Sequence, residues 1–183
     1  MMRLSARTVL PARHGLRRVD SASDGGFAMS MPRLESYLRE NGVAFATSSH
    51  ERAFTAQEVA AQAHISGRDV AKSVMVMLDE ELVMMVLPAT ERLNLGRLRQ
   101  TTGAKEARLA SEWEFMHRFP ECETGAMPPF GNLYGLRVLV ADSLADDETI
   151  AFNAGTHTDM ISMAYSDFVR LVRPEIVYLH GSH

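Results

Sequence analysis

Apolar residues recur along the chain at two spacings, and the switches between them mark out its elements. Leu34, Tyr37 and Leu38 follow Pro32 at helical intervals and precede Gly42, which predicts a helix over residues 32–41. Thr55-Ala-Gln-Glu58 has the form of a capping box ahead of an Ala-rich run with Val59 and Ala63 on one face, predicting a second helix that ends near His64. Residues 70–78 and 82–87 are β-branched and Met-rich runs on either side of Asp79-Glu80-Glu81, the pattern of two strands joined by a tight turn. Helices are expected again over 93–102 and 111–119, the latter opening on a second capping-box pattern, Ser111-Glu-Trp-Glu114. Short strands follow at 136–141, 149–152 and 160–163, and a last helix over 165–172 is stopped by Pro174.

Strand and helix runs interleave without the regular spacing of a βαβ chain, and the hairpin is short. The expected fold class is therefore α+β, a single domain with a central mixed, largely antiparallel sheet flanked by helices. No GxGxxG and no GxxxxGK sequence occurs, which removes the dinucleotide and phosphate-loop folds. The 183 residues have room for one core, and the longest apolar runs, such as 82–88, fall short of the roughly 18 to 20 residues a membrane span needs. Residues 1–30 differ: Arg-, Ser- and Ala-rich and ending in Ser21-Ala22-Ser23-Asp24-Gly25-Gly26, they read as a disordered extension ahead of a domain over 31–183. Their composition suits either a transit peptide or upstream sequence, and the upstream reading is preferred because Met29 or Met31 makes a natural start.

Five arginines and no acid precede residue 19, and the other 14 basic and 23 acidic residues leave the body at −9 within a net charge of −4. An acidic body repels nucleic acid at long range, so any RNA contact is expected to be local, at one exposed end. The single cysteine, Cys122, excludes an internal disulfide and suits a reducing compartment. Seven histidines show neither HxxxH nor HExxH spacing, so neither a metal nor a cofactor is expected.

Three places carry candidate chemistry. Lys72 is one of two lysines beside seventeen arginines; at the start of an apolar strand it either aims a compact charge at a cleft or snorkels from a strand end. The loop Cys122-Glu-Thr-Gly-Ala-Met-Pro-Pro-Phe-Gly131 is either a stiff frame presenting backbone N–H groups to a carbonyl or an ordinary connection. His157, within Asn153-Ala-Gly-Thr-His-Thr-Asp159, either orients water or substrate or is a turn histidine. Cys122 and His157 also allow a thiol nucleophile and base, although no third orienting residue accompanies them. Met75, Met77, Met84, Met85 and Trp113 read as core packing.

Taken together, Ala71-Lys72-Ser-Val, Val86-Leu-Pro-Ala-Thr-Glu-Arg-Leu, Gly125-Ala-Met-Pro-Pro-Phe-Gly131 and Ala154-Gly-Thr-His157 resemble the YbaK/EbsC family, in that order and over roughly residues 31–175. The resemblance implies a cytoplasmic aminoacyl-tRNA deacylase that works in trans on mischarged tRNA. It implies contact with the acceptor end and leaves room for a synthetase or elongation factor as a further partner. Lys72 would hold the phosphate backbone, Gly125 and Pro129 would form the GxxxP loop that positions the aminoacyl carbonyl, and His157 would hold substrate or water. Met77, Pro128, Phe130, Gly155, Thr156 and Met163 are expected to contact the substrate. The implied mechanism is substrate-assisted: a hydroxyl of the terminal adenosine helps water attack the ester, without a protein nucleophile. Alanine, cysteine, serine, threonine and proline all remain open as the amino acid. The competing readings are a non-catalytic aminoacyl- or nucleotide-binding module and a hydrolase dependent on Cys122.

Overall fold

The computed structural model of the protein describes residues 32–49, 70–145 and 147–179. The extension over 1–30 and the capping-box helix expected over 55–64 lie outside the described residues. In chain order the elements are α1 (Pro32–Glu40), β1 (Phe45–Ser49), β2 (Ala71–Leu78), β3 (Glu81–Pro88), α2 (Leu95–Thr102), β4 (Ala107–Leu109), α3 (Glu112–Phe115), β5 (Arg137–Ala141), β6 (Thr149–Asn153), β7 (Asp159–Ala164), α4 (Tyr165–Val172) and β8 (Glu175–Val177).

The expected hairpin forms β2 and β3, antiparallel with Val74 opposite Met85 and Val76 opposite Val83. Asp79 turns it with φ 53°, a left-handed conformation that costs a non-glycine residue energy. Its carboxylate accepts hydrogen bonds from the N–H groups of Lys105 and Glu106, both at 2.9 Å, which offsets that cost and ties the turn to the approach of β4. Both free edges of the hairpin are then occupied: β4 pairs antiparallel with β2, while β5 pairs parallel with β3 and β8 parallel with β5. The strands expected at 149–152 and 160–163 do not join this sheet, and touch it only through an isolated parallel bridge between Val70 and Ala151. They pair antiparallel with each other as β6 and β7, and β7 takes β1 on its other side. The class is α+β as expected, with the strands divided between a mixed five-stranded sheet and an antiparallel three-stranded one.

Strands β3 and β5 bury both faces, which is why they read as continuous apolar runs rather than alternating ones. On one face, Met75, Met84, Val86, Val138 and Val140 pack with Phe152, Ile161 and Met163 of the small sheet, Leu34 and Leu38 of α1, and Phe168 of α4. On the other, Val76, Val83, Met85, Leu87 and Leu139 lie under Leu98 of α2. The helix expected over 111–119 is shorter than its pattern: α3 makes one turn and continues as a 3₁₀ turn, Met116–Arg118. Pro120 disfavours helical backbone at Phe119 and so ends the run. Among the described residues no helix is long and apolar enough to cross a membrane.

Candidate functional site

The loop around Gly125 and the turn around His157 are more than thirty residues apart in sequence and are laced together in space. Glu123 N–H donates to the Gly155 carbonyl at 2.7 Å, and Gly155 N–H donates to the Ala126 carbonyl at 3.0 Å. The backbone N–H of His157 donates to Glu123 Oε2 at 2.9 Å, and its ring Nε2 lies 3.0 Å from the Thr124 carbonyl. A carbonyl can only accept, so Nε2 carries a proton in this contact. The ring also packs against the bare face of Gly125: a Cβ added there would lie 3.5 Å from His157 Cε1.

The His157 turn is braced from within. Thr156 Oγ1 donates to Asp159 Oδ2 at 2.7 Å and accepts from the Asp159 N–H at 3.0 Å, while Ser49 donates to Asp159 Oδ1. Gly155 and Thr156, expected to contact the substrate, are both buried, and their polar groups serve this bracing.

Gly125 adopts φ 87°, open to glycine and strained for other residues. Its N–H points at Met127 Sδ at 3.3 Å. A thioether is a weak acceptor, so this donor is easily reassigned to a stronger one. Beside it lies a cavity of about 210 Å³, lined by Ser73, Val74 and Met75 of β2, by Leu109, Ala110 and Phe115, and by Thr124, Gly125 and Met127. It opens to solvent along one side and is large enough to admit a small molecule. The lining is mostly apolar, and it includes one residue the sequence did not single out, Ser73, whose hydroxyl is turned behind the wall rather than open to the cavity. Ser73 Oγ is buried and has no hydrogen-bond partner among the described residues, a condition that costs about 1–3 kcal/mol. The available signal was a hydroxyl next to Lys72 in an otherwise apolar strand.

Lys72 stands apart from this cavity. The pleat of β2 sets it with Val76 and Leu78, the face under α2, rather than with Ser73 and Met75. Its ammonium donates to the carbonyls of Ala89 at 3.2 Å and Glu91 at 2.5 Å, clasping the loop that follows β3. Burial lowers its pKa from the usual lysine value, with Glu91 opposing the shift and Arg92 adding to it. Two of its three protons are engaged among the described residues.

Pro128 and Pro129 are buried and stiffen the loop from behind. The expectation that Phe130 and Met163 line the site is corrected. Phe130 is wholly buried, its ring 5.7 Å from that of Phe152 and 5.8 Å from that of Phe168, and Met163 belongs to the same core. Met77 pairs with Leu82 and Arg108 in the sheet and is not part of the cavity wall. The Cys122 thiol is pushed up to about 11 by burial, partly countered by a hydrogen bond with Tyr134, so it stays protonated at neutral pH and is a poor nucleophile. Among the described residues no group of three or more His, Cys, Asp or Glu could hold a metal ion.

The family model of the aminoacyl-tRNA editing domain matches residues 50–171. The chain is 29% identical over 151 residues to the multifunctional Ser/Thr-tRNA deacylase ProXp-y of Escherichia coli K12, covering 79% of this chain and 89% of that protein. The protein of the same name from Escherichia coli O157:H7 matches to the same extent. A solved structure described as a candidate trans-editing enzyme for prolyl tRNA synthetase superposes with a TM-score of 0.73 at 18% identity, covering 86% of this chain and all of that one. The hypothetical protein APE2540 superposes with a TM-score of 0.71 at 17% identity, covering 80% of this chain and 98% of that one. At such identities the likeness shows the fold.

Proposed function

The chain belongs to the aminoacyl-tRNA editing domain family and is an editing hydrolase, and from that premise we propose that it acts in trans to deacylate mischarged seryl- and threonyl-tRNA. We base the choice of amino acid on the Ser73 hydroxyl, which lies buried behind the wall of the cavity beside Gly125 and has no partner among the described residues, so that a shift of that wall would open it to the substrate. The β-hydroxyl of serine or threonine would satisfy it, whereas alanine or proline would leave it orphaned, and sites built on such a hydrogen bond discriminate far better than sites that count methylenes. The relative from Escherichia coli, itself named for seryl and threonyl substrates, supports the same choice.

In the proposed reaction the ester carbonyl faces Gly125, whose N–H leaves the Met127 thioether for the oxygen that gains negative charge. Water adds to the carbonyl carbon. The neighbouring hydroxyl of the terminal adenosine relays the water's proton to the departing ester oxygen, and the C–O bond to the ribose breaks. The products are the free amino acid and uncharged tRNA, with no acyl-protein between them. Holding reactants in place can contribute roughly 7–11 kcal/mol at the limit, so the protein need supply only position and electrostatics. His157 acts through the loop: its ring sits on Gly125 and on the Thr124 carbonyl, fixing the peptide that presents the donor. Lys72 holds the 89–91 loop and supplies a positive charge for an acceptor-end phosphate. The proposed site of action is the cytoplasm, where aminoacyl-tRNA is charged and used, with delivery by a synthetase or elongation factor open to it.

The test is ester loss from tRNAs charged with serine, threonine, alanine and proline, with the wild-type chain beside Ser73→Ala. Faster loss from the seryl and threonyl substrates, and a narrowed preference in the variant, is the expected outcome. Equal rates on all four in the wild type would remove the hydroxyl assignment, and no loss from any would remove the deacylase.

A further inference from the structure

Six large apolar side chains stand exposed among the described residues, and three of them fall between positions 109 and 116: Leu109, Trp113 and Met116. This concentration lies on the rim of the cavity. Leu109 and Ala110 form one part of its wall and Phe115 another, and Trp113 is carried between them on α3. Trp113 and Met116 are three residues apart on the helical stretch and so share a face.

Trp113, expected in the core, is 73% exposed and is the most open of these side chains. Its setting is firm nonetheless. Glu112 accepts a hydrogen bond from Thr124, next to Gly125, at 2.6 Å. Glu114 accepts from the Ser111 N–H at 2.8 Å and is gripped by both terminal nitrogens of Arg108 at 2.6 and 2.8 Å, while Phe115 is buried in the core. A rigid helical turn thus holds a broad aromatic face in water beside the cavity mouth. Exposed apolar surface of this kind marks a place where something docks.

We infer that Trp113, flanked by Leu109 and Met116, is a stacking platform for an unpaired base of the tRNA acceptor end, an assignment that rests on the deacylase reading above. An aminoacyl group seated in the cavity must have its nucleotide strand leave across this rim, because the ester joins the two directly. Unpaired bases bind through their faces to aromatic side chains. The local charge favours a base over a phosphate: Glu112 and Glu114 flank the tryptophan, and the nearby Arg108 is already committed to Glu114.

Trp113 is the only tryptophan in the chain, so its fluorescence reports on this surface without labelling. The full chain is titrated with a short single-stranded RNA ending in CCA, and separately kcat and KM are measured for seryl-tRNA and for serine esterified to free ribose, which keeps the neighbouring hydroxyl and has no base. Saturable quenching by the RNA is expected. Trp113→Ala should lower kcat/KM on seryl-tRNA roughly 5- to 150-fold, mainly through KM, with Trp113→Phe retaining most of it and both variants matching wild type on the ribose ester. No RNA-dependent fluorescence change, an unchanged kcat/KM on seryl-tRNA, or an equal loss on both substrates would overturn the platform; an unquenched tryptophan with full activity would assign the patch to another occupant. A wild-type chain that binds the RNA but cleaves neither ester would instead count against the deacylase reading and leave the platform standing.

Discussion

Replacing Gly125 by alanine separates the geometry of the loop from the stability of the fold. At φ 87° a side chain with a Cβ loses roughly 1–2 kcal/mol to left-handed sterics. In a chain of this length each 1 kcal/mol lowers the melting temperature by about 2–4 °C. Among the described residues the new methyl group meets only His157 Cε1 at 3.5 Å and Nε2 at 4.0 Å, ordinary van der Waals contact, so the domain is expected to stay folded. The chemistry is less tolerant. Backbone that relaxes toward negative φ swings the N–H now aimed at Met127 away from the cavity, and the loss of one such donor typically costs about 10²–10³ in rate. Gly103→Ala is the matched control, because Gly103 caps α2 at φ 73° with nothing within 4 Å of an added Cβ. Thermal melts and single-turnover deacylation of seryl-tRNA are measured for both variants. Both should melt a few degrees lower, and only Gly125→Ala should lose about two orders of magnitude in rate. Equal turnover by the two variants would refute the role given to the loop.

Two further outcomes follow from the titrating groups. Cys122→Ala should leave ester turnover unchanged, and because the thiol is pushed up to about 11, iodoacetamide at pH 8 should label it far more slowly than a free thiol; rapid labelling, or loss of turnover in the variant, would return the thiol to the mechanism. Glu114 is held well below the usual carboxylate range by hydrogen bonds from Arg108 and then Ser111, so its contribution to stability is present above the unfolded carboxylate pKa of about 4 and is lost as pH falls toward the folded value. The urea midpoint of Glu114→Gln should therefore lie below wild type at pH 7 and approach it at pH 3, and a gap that does not change with pH would contradict this assignment.

How much of this was legible in the sequence depended on whether a pattern carried its own cause. Helix α4 matches its expected span over 165–172, and β2, β3 and β5 begin and end within about a residue or two of theirs, because the burial that made those runs apolar is the same burial that defines the strands. Strands β1, β4 and β8 were not anticipated. Four of the five residues of Phe45–Ser49 are exposed, and three-residue edges such as Ala107–Leu109 and Glu175–Val177 exist through their partners rather than through any periodicity of their own. Gly125 and His157 stood out as loop chemistry, and they meet. The direction of Lys72 was not readable, since one step of pleat decides which face of β2 it leaves. Ser73 was missed because the burial of its hydroxyl without a partner among the described residues belongs to the folded packing and leaves no mark in the sequence. Phe130 was misread because the same motif that stiffens the loop also drives its aromatic ring into the core, where burial leaves no surface for a ligand.

The central claim is tested most directly by holding seryl-tRNA with an excess of the purified full chain and sampling the ester, the free serine and the protein over time. Loss of the ester in a single exponential well above the protein-free rate, with serine released in equal amount and no acyl group on the protein at any point, is the predicted result. A folded chain that leaves seryl- and threonyl-tRNA charged at the protein-free rate, or one that accumulates an acyl-protein, would contradict the account.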